Sequence, residues 1–390
     1  MSLVRYLGAA AAAAALSVLS AGQAPAQSLL SARGLGLPLE PVDARARGMG
    51  GLPLGLPEPG MSLVNPASAV GLPAAGLTVT FQADDVTSEA GDQADDFTTA
   101  RFPVVQLAFP VGERLVGTLG YASVLDQNWA VTREDSIDIS GSRVGVVDRF
   151  RSNGGVARLR AGAGYRLLPR LDVGAAVDVY SGAVRDSVYR FFASGSGIGS
   201  TQTATTYEWR GLGFSAGARW RGDAFSVSAA VSGGSKLTAE AQDSGVVGKD
   251  YSLPLQVDAG ASARIAQQAL VAISARWAGW GALDDDLAAG SGGARDATQV
   301  AGGVEYEGLR FLGRPVPVRA GGRLSQLPFR WDANAEFVDE RAVTGGLGIV
   351  FGGGAATLDL SGERGRRGGD SAGFEESFWR VSLSLALLGR

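Results

Sequence analysis

Leu171-Asp172-Val173-Gly174-Ala175-Ala176-Val177-Asp178-Val179 alternates without a break. Leu171, Val173, Ala175, Val177 and Val179 fall on one face, and Asp172, Gly174, Ala176 and Asp178 on the other. A period of two residues belongs to a strand and cannot sit on a helix. The pattern returns in 253–264, where Leu255, Val257, Ala259, Ala261 and Ala263 oppose Gln256, Asp258, Gly260, Ser262 and Arg264. It returns again near the end of the chain, where Trp379, Val381, Leu383, Leu385 and Leu387 oppose Arg380, Ser382, Ser384 and Ala386. An ionised side chain facing lipid costs up to about 2–4 kcal/mol near the midplane. If the aliphatic faces meet lipid, the charged faces must look into a lumen.

Working outward, fourteen strand-length segments can be marked: 75–83, 101–109, 114–124, 154–166, 170–181, 205–220, 223–232, 253–264, 268–279, 297–306, 315–326, 342–351, 354–363 and 376–387. Short turns (Pro110–Glu113, Leu167–Pro169, Arg221-Gly222, Ile265–Gln267, Glu307–Arg314, Gly352-Gly353) alternate with long connections (84–100, 125–153, 182–204, 233–252, 280–296, 327–341, 364–375). Tight turns at one end and long loops at the other are the signature of an outer-membrane barrel. The fold class expected is all-β, a transmembrane antiparallel β-barrel of about 14 strands. Residues 129–139 and 184–192 also alternate, so some strands extend past the membrane, and twelve or sixteen spanning strands stay open. In 205–220, Glu208 and Arg210 share parity with Leu212 and Phe214, which asks for a bulge at Gly211 or Gly213 or a strand already above the membrane there. Short turns on the periplasmic side put both termini in the periplasm. Aromatic girdles are expected from Phe109, Tyr165 and Trp220 at one end and Trp209, Trp277, Trp280 and Trp379 at the other.

Composition agrees. Hydrophobic residues make up 45% of the 390, yet mean hydropathy is only +0.10, too low for a bundle of membrane helices. With no His and no Cys, neither Ser/His nor Cys/His nucleophiles nor His or thiolate metal sites are possible. The chain reads as a non-enzyme with no cofactor and no metal. A net charge of −4 argues against nucleic acid as a partner.

Residues 1–26 read as a signal peptide: Arg5, an apolar run from Leu7 to Leu19, and the small-x-small site Ala24-Pro25-Ala26. Residues 27–74 are Gly-, Leu- and Pro-rich without a period of two, and form a segment that precedes the barrel of 75–390.

The expected lumen set is Arg158, Arg160, Asp172, Asp178, Asp258, Arg264, Arg276, Arg319, Arg323, Asp359, Glu363 and Arg380. Mixed sign suits ion pairs that stiffen a wall, or a polar pore without strong ion selectivity, which needs rings of one sign. Two acidic clusters fall in the outer connections: Asp84-Asp85 with Asp92, Asp95 and Asp96, and Asp284-Asp285-Asp286. Their spacing matches no calcium loop. Arg221-Gly222-Asp223 spells an adhesion tripeptide but occupies a short turn. Phe191, Phe192, Ile198, Leu283 and Leu287 are apolar loop residues that either catch a hydrophobic solute or pack within the loops.

Arg47-Gly48-Met49-Gly50-Gly51, then Asn65-Pro66-Ala67-Ser68-Ala69, then a strand from Gly76 resembles the start of the long-chain fatty-acid transporter family of outer-membrane proteins, FadL/TodX-like. The resemblance implies an N-terminal hatch, or plug, inside a fourteen-stranded barrel. It implies passive uptake of hydrophobic small molecules such as long-chain fatty acids, and a lateral exit after the hatch shifts. By match of motif, Asn65, Pro66 and Ala67 are hatch residues, and Leu52, Leu54, Leu56, Leu63, Val64 and Leu72 would supply an apolar patch for substrate. Outer-membrane lipid, lipopolysaccharide and the barrel-assembly machinery are the implied partners. Two departures stand out: Leu56-Pro57-Glu58-Pro59-Gly60 replaces the usual acidic pair, and the chain ends without a terminal aromatic. A secretion or assembly platform and a general porin are the alternatives. A lateral opening is expected where Gly117 and Gly120 weaken strand 114–124.

Overall fold

A computed structural model describes residues 28–57, 60–90, 93–243, 247–287 and 293–389. The expected signal peptide, Glu58, Pro59, Asp92 and the final Arg390 lie outside the described residues. Among the described residues, fourteen antiparallel strands close a barrel. They are β1 (Gly76–Ala90), β2 (Gln93–Val111), β3 (Leu115–Asp126), β4 (Ser142–Leu168), β5 (Leu171–Phe192), β6 (Thr201–Arg221) and β7 (Phe225–Ala241). The second half holds β8 (Gln256–Ala266), β9 (Ala269–Ala278), β10 (Ala297–Tyr306), β11 (Val318–Arg330), β12 (Phe337–Phe351), β13 (Ala356–Gly369) and β14 (Phe374–Leu388). Closure is the β14–β1 ladder, from Leu388 opposite Gly76 to Glu375 opposite Glu89.

All fourteen expected segments are strands, but the long connections are mostly not loops. β4 runs for 27 residues and β5 for 22, against the roughly 9–11 needed to cross a bilayer. Trp129–Ile139 folds back on the first half of β4 as a hairpin, and Lys249–Ser252 pairs with the end of β7. Continued pairing gives the backbone donors of these extensions partners above the membrane, and the alternation of 129–139 and 184–192 already carried that signal. Glu208 and Arg210 point outward, beside Glu240. The strand is above the apolar belt at that point, which is the second of the two readings. The accompanying register shift between Gly211 and Gly213 places the extra residue on β7.

The outward face carries the aliphatic set, with Leu159, Val177, Phe214, Val257 and Leu383 exposed. On β12–β14 and β1 it changes character at one rung, Val343–Arg364–Trp379–Asp85. Below that rung it is aliphatic, Phe or Gly; above it most positions are charged or hydroxyl-bearing (Arg341, Asp339, Arg366, Ser377, Glu375, Thr87, Glu89). Phe109, Tyr165, Trp277 and Trp379 are outward and exposed. Trp209 is not in the girdle: it is buried in the lumen, stacked on Tyr251 at 5.6 Å. Trp280 likewise packs edge-on against Phe329.

Residues 28–75 thread the interior. The short helix α1 (Ala44–Gly48) starts where the Asp43 carboxylate accepts the Ala46 N–H at 2.8 Å. It lies against β12, β13 and β14. A 3₁₀ turn at Pro66–Ala69 begins where Asn65 accepts the Ala67 N–H at 2.9 Å, and it packs against β4, β5 and β6. The Met49 backbone lies against Gly303 and Gly321, where a β-carbon on the wall would overlap it. Thr344 ties this contact down, accepting the Gly50 N–H at 2.9 Å and donating to the Gly48 carbonyl at 3.0 Å.

Candidate functional site

All twelve charges expected in the lumen point inward; Arg264, at the turn end of β8, is the half-exposed one and pairs with Glu307 at 3.2 Å. The others are buried and join into networks with residues that sequence reading did not list. One ionic chain runs Glu376–Arg367–Glu340–Arg323–Glu363–Arg380–Asp84–Arg101–Asp126. It links β11 through β14 to β1, β2 and β3, across the closing seam. Asp84 is therefore not part of an outer acidic cluster, as its place in 84–100 had suggested. Thr78, Thr80, Gln82 and Asp84 continue one inward face, and Arg380 is its cross-strand partner. Among the described residues no acidic group forms a metal site.

Further arginines hold the inner segment by its carbonyls. Arg160 grips Asp178 at 2.7 and 2.8 Å while donating to Leu63 O at 2.5 Å, and Arg158 donates to the same oxygen at 2.9 Å. Arg219, paired with Asp172 at 2.9 Å, donates to Ser68 O at 3.0 Å and Val70 O at 2.6 Å. Arg45 of the inner segment reaches Glu305 at 2.6 Å, and Arg319 joins Glu305 to Asp359. Charge-assisted bonds of this kind are roughly twice as strong as neutral ones. Arg47 of α1 lies between Glu40 at 3.0 Å and Glu363 at 3.8 Å. Burial, with Arg380 nearby, lowers its pKa to about 10.

The expected hatch residues are all inside the barrel, yet they do not make one apolar patch. Leu52 packs with Met49, Leu270, Ala272 and Ala301. Leu54 and Val64 pack with Ala230, and Leu63 with Val104 and Ala122. Leu72 packs with Ala108 and Val116. Leu56 lies against the Leu52 group, and Pro66 and Ala67 lie on Gly164 and Gly174. The arginine-held backbone spaces these side chains along the wall. Leu52, Leu54, Leu56, Leu63 and Asn65 border an inner cavity of about 110 Å³.

The larger chamber, about 170 Å³, lies on the other side of the inner segment. Its floor is Leu37–Pro41 with Val64. Around it apolar side chains (Val124, Leu125, Tyr180, Leu237, Leu253, Trp280) are interspersed with Arg158, Arg160, Arg276 and Arg323, and Arg158 stands directly across the ladder from Tyr180. Leu283, read as a loop residue, is fully buried in the cluster that also holds Leu125, Leu237 and Trp209, with Leu287 against it. Phe191 stays exposed, with Arg149 over its ring at 5.1 Å. Arg276 Nη2 and Arg323 Nη1 are buried without a hydrogen-bond partner among the described residues.

The wall beside this chamber parts between β2 and β3. Their ladder ends at Val104 opposite Ala122. Beyond it, β2 has one extra residue, Phe102-Pro103 standing opposite Phe81 alone, and Pro103 has no N–H to donate. The free end of β3 pairs instead with Leu37 and Pro38 of the inner segment. Arg101, Pro103 and Val124 line both the parting and the chamber. The glycines of β3 do not open the wall. Gly117 and Gly120 are fully paired, Gly117 covered by the Phe109 ring and Gly120 by Leu63.

Solved structures similar to this one include toluene transporters. The toluene transporter TbuX of Ralstonia pickettii superposes with a TM-score of 0.62 at 15% identity, covering 90% of this chain and 99% of that one. A FadL homologue of Pseudomonas aeruginosa gives 0.61 at 14% identity over 90% and 99% of the two chains. The P. putida toluene transporter TodX gives 0.59 at 16% identity over 90% and 99%. At these identities the likeness is one of fold, and at that level the resemblance read from Gly48–Gly51 and Asn65–Ala67 holds. No curated protein matches the sequence. The family model described as BamG matches residues 4–242, more than half of the 390; the chain belongs to the BamG family.

Proposed function

We propose that this protein sits in the bacterial outer membrane with both termini in the periplasm, and passes hydrophobic small molecules across it without catalysis. Residues 1–26 are its cleaved signal peptide. Residues 27–74 are its plug, with Asn65, Pro66 and Ala67 as the seated hinge. The observation that carries this reading is the enclosed chamber above the inner segment, lined both by apolar side chains such as Leu125, Tyr180 and Leu237 and by the guanidiniums of Arg158, Arg276 and Arg323.

A cavity of about 170 Å³ is close to the roughly 150 Å³ that holds a benzene-sized guest. It fits a single ring, or the head end of a longer chain. The unpartnered N–H groups of Arg276 and Arg323 suit an oxygen-bearing head group, so long-chain fatty acids are the finer substrate class. The parting between β2 and β3 lies a few residues below the Asp85–Thr98 rung that marks the belt's edge, which favours release sideways into the membrane.

The test is uptake of labelled toluene and oleate by cells lacking the protein and complemented with variants. Leu237→Arg is expected to lower both, and Arg276→Gln to lower oleate alone. Wild-type complementation that restores neither compound would overturn the transport reading.

Membership of the BamG family favours a second reading, in which the plugged barrel is a platform within the barrel-assembly machinery. Deleting 40–72 separates the two. A platform keeps its partners after the deletion, judged by co-purification, whereas a transporter loses regulated uptake.

A further inference from the structure

Outside the lumen, the ends of β12 and β13 above the membrane boundary carry an unbalanced cationic patch. Arg364 stands on the boundary rung, its guanidinium 5.2 Å from the Trp379 ring centre. One rung higher, Arg341 lies directly opposite Arg366. Like charges in that position repel. Arg366 has Glu375 at 3.5 Å, while Arg341 has no acidic partner among the described residues.

Directly below these arginines the membrane-facing surface is notched. Gly302 and Gly322, paired across β10 and β11, form part of the floor of a groove of about 690 Å³. Its walls are Ile273, Val300, Leu324 and Val343, each 60–67% exposed. They stand that far out because neighbouring glycines put no side chain beside them. Arg341, Arg364 and Arg366 form its upper rim.

We propose that this is a binding site for a phosphorylated glycolipid of the outer leaflet. The phosphate lies across the three guanidiniums and one acyl chain lies along the glycine floor. Guanidinium groups engage phosphate oxygens in bidentate pairs, and an anion between Arg341 and Arg366 relieves their repulsion. A volume in the range of ligand sites, about 300–1,000 Å³, continuous with those cations, fits a ligand that carries its charge at one end of a hydrocarbon chain. A free phosphate would use only the rim.

The test is retention of lipid A by the purified full-length protein, read by native mass spectrometry during graded delipidation. Arg341→Gln/Arg364→Gln/Arg366→Gln is expected to weaken retention by about a hundred-fold, the product of three surface cations. Gly302→Leu, which fills the groove and leaves the arginines intact, is expected to weaken it without abolishing it. Lipid A stripped of phosphate should bind the wild type no better than lipid A binds the triple variant, and millimolar inorganic phosphate should not displace the lipid. Heat-modifiable migration on gels checks that each variant has closed its barrel. Equal retention by the triple variant, displacement by phosphate alone, or loss of a co-purifying protein with lipid retained would each overturn the proposal.

Discussion

Gly217 of β6 lies so close beneath Asn65 that a β-carbon there would overlap the carboxamide oxygen. The same side chain donates to Ala218 O at 3.1 Å and caps the Pro66 turn. The wall is therefore cut to the shape of the plug at this point. Gly217→Val is expected to unseat the turn, raising single-channel conductance in planar bilayers and exposing residues near 65 to protease. Asn65→Ala introduces no overlap and removes the cap, about 1 kcal/mol, together with the bond to Ala218 O, so its conductance should rise less. Equal, unchanged conductance in both variants would contradict the seating.

Arg323 sits between Glu340 and Glu363. Arg323→Met leaves two buried carboxylates short of a partner, with an expected loss of about 3–5 kcal/mol. Adding Glu340→Gln and Glu363→Gln should recover much of it, although Arg367 and Arg380 then lose partners of their own. The temperature of the gel-migration shift for single and triple variants measures this. A triple variant less stable than the single one would mean that the wider chain of pairs, not Arg323 alone, holds the wall.

The chain has no native cysteine, so a staple across the β2–β3 parting can be read cleanly. Pro103 and Ser123 are next in line beyond the last rung at Val104 and Ala122. Pro103→Cys/Ser123→Cys is expected to lower uptake when oxidised and to regain it with reductant. Uptake indifferent to the redox state of a formed disulfide would place the exit elsewhere.

Asp286, in the outer 3₁₀ turn Trp280–Asp286, accepts the Ser252 N–H at 2.7 Å. That bond holds its carboxyl below the ordinary 3.8, with Lys236 and Lys249 adding to the effect. A depressed acid stabilises the folded loop above its unfolded pKa and loses that contribution as pH falls through the folded value. Hydrogen exchange at the Ser252 amide should therefore quicken below about pH 4. In Asp286→Asn the rate should show no such step.

Strand count and wall chemistry were legible because a two-residue period survives any loop length. Asp172, Asp178 and Asp258 announce the lumen by standing opposite Val and Leu. Asp84 was missed because Asp85 beside it and the acidic residues after it look like solvated loop, although Thr78-Thr80-Gln82 had already fixed the inward parity. Glu340 and Arg367 were missed because the expected strands 342–351 and 354–363 stop short of them, and Glu376 because it is the first residue of 376–387. Trp209 misled for a related reason: an aromatic near a strand end is as able to face a wet interior as a headgroup. The plug had no period to read. Its course depends on partners far away in sequence, such as Arg160 for Leu63 and Arg219 for Val70.

Leu37 and Pro38 pair with the end of β3 that β2 has released, and the Leu39 N–H donates to Val124 O at 2.9 Å. A stretch of the plug is thus also a splint for the wall. Pulling that stretch inward would strip the β3 tip of its remaining neighbour on that edge. Under the proposed transport role, clearing the lumen and widening the side window would then be a single movement, and a solute that dislodged the splint would open its own way out.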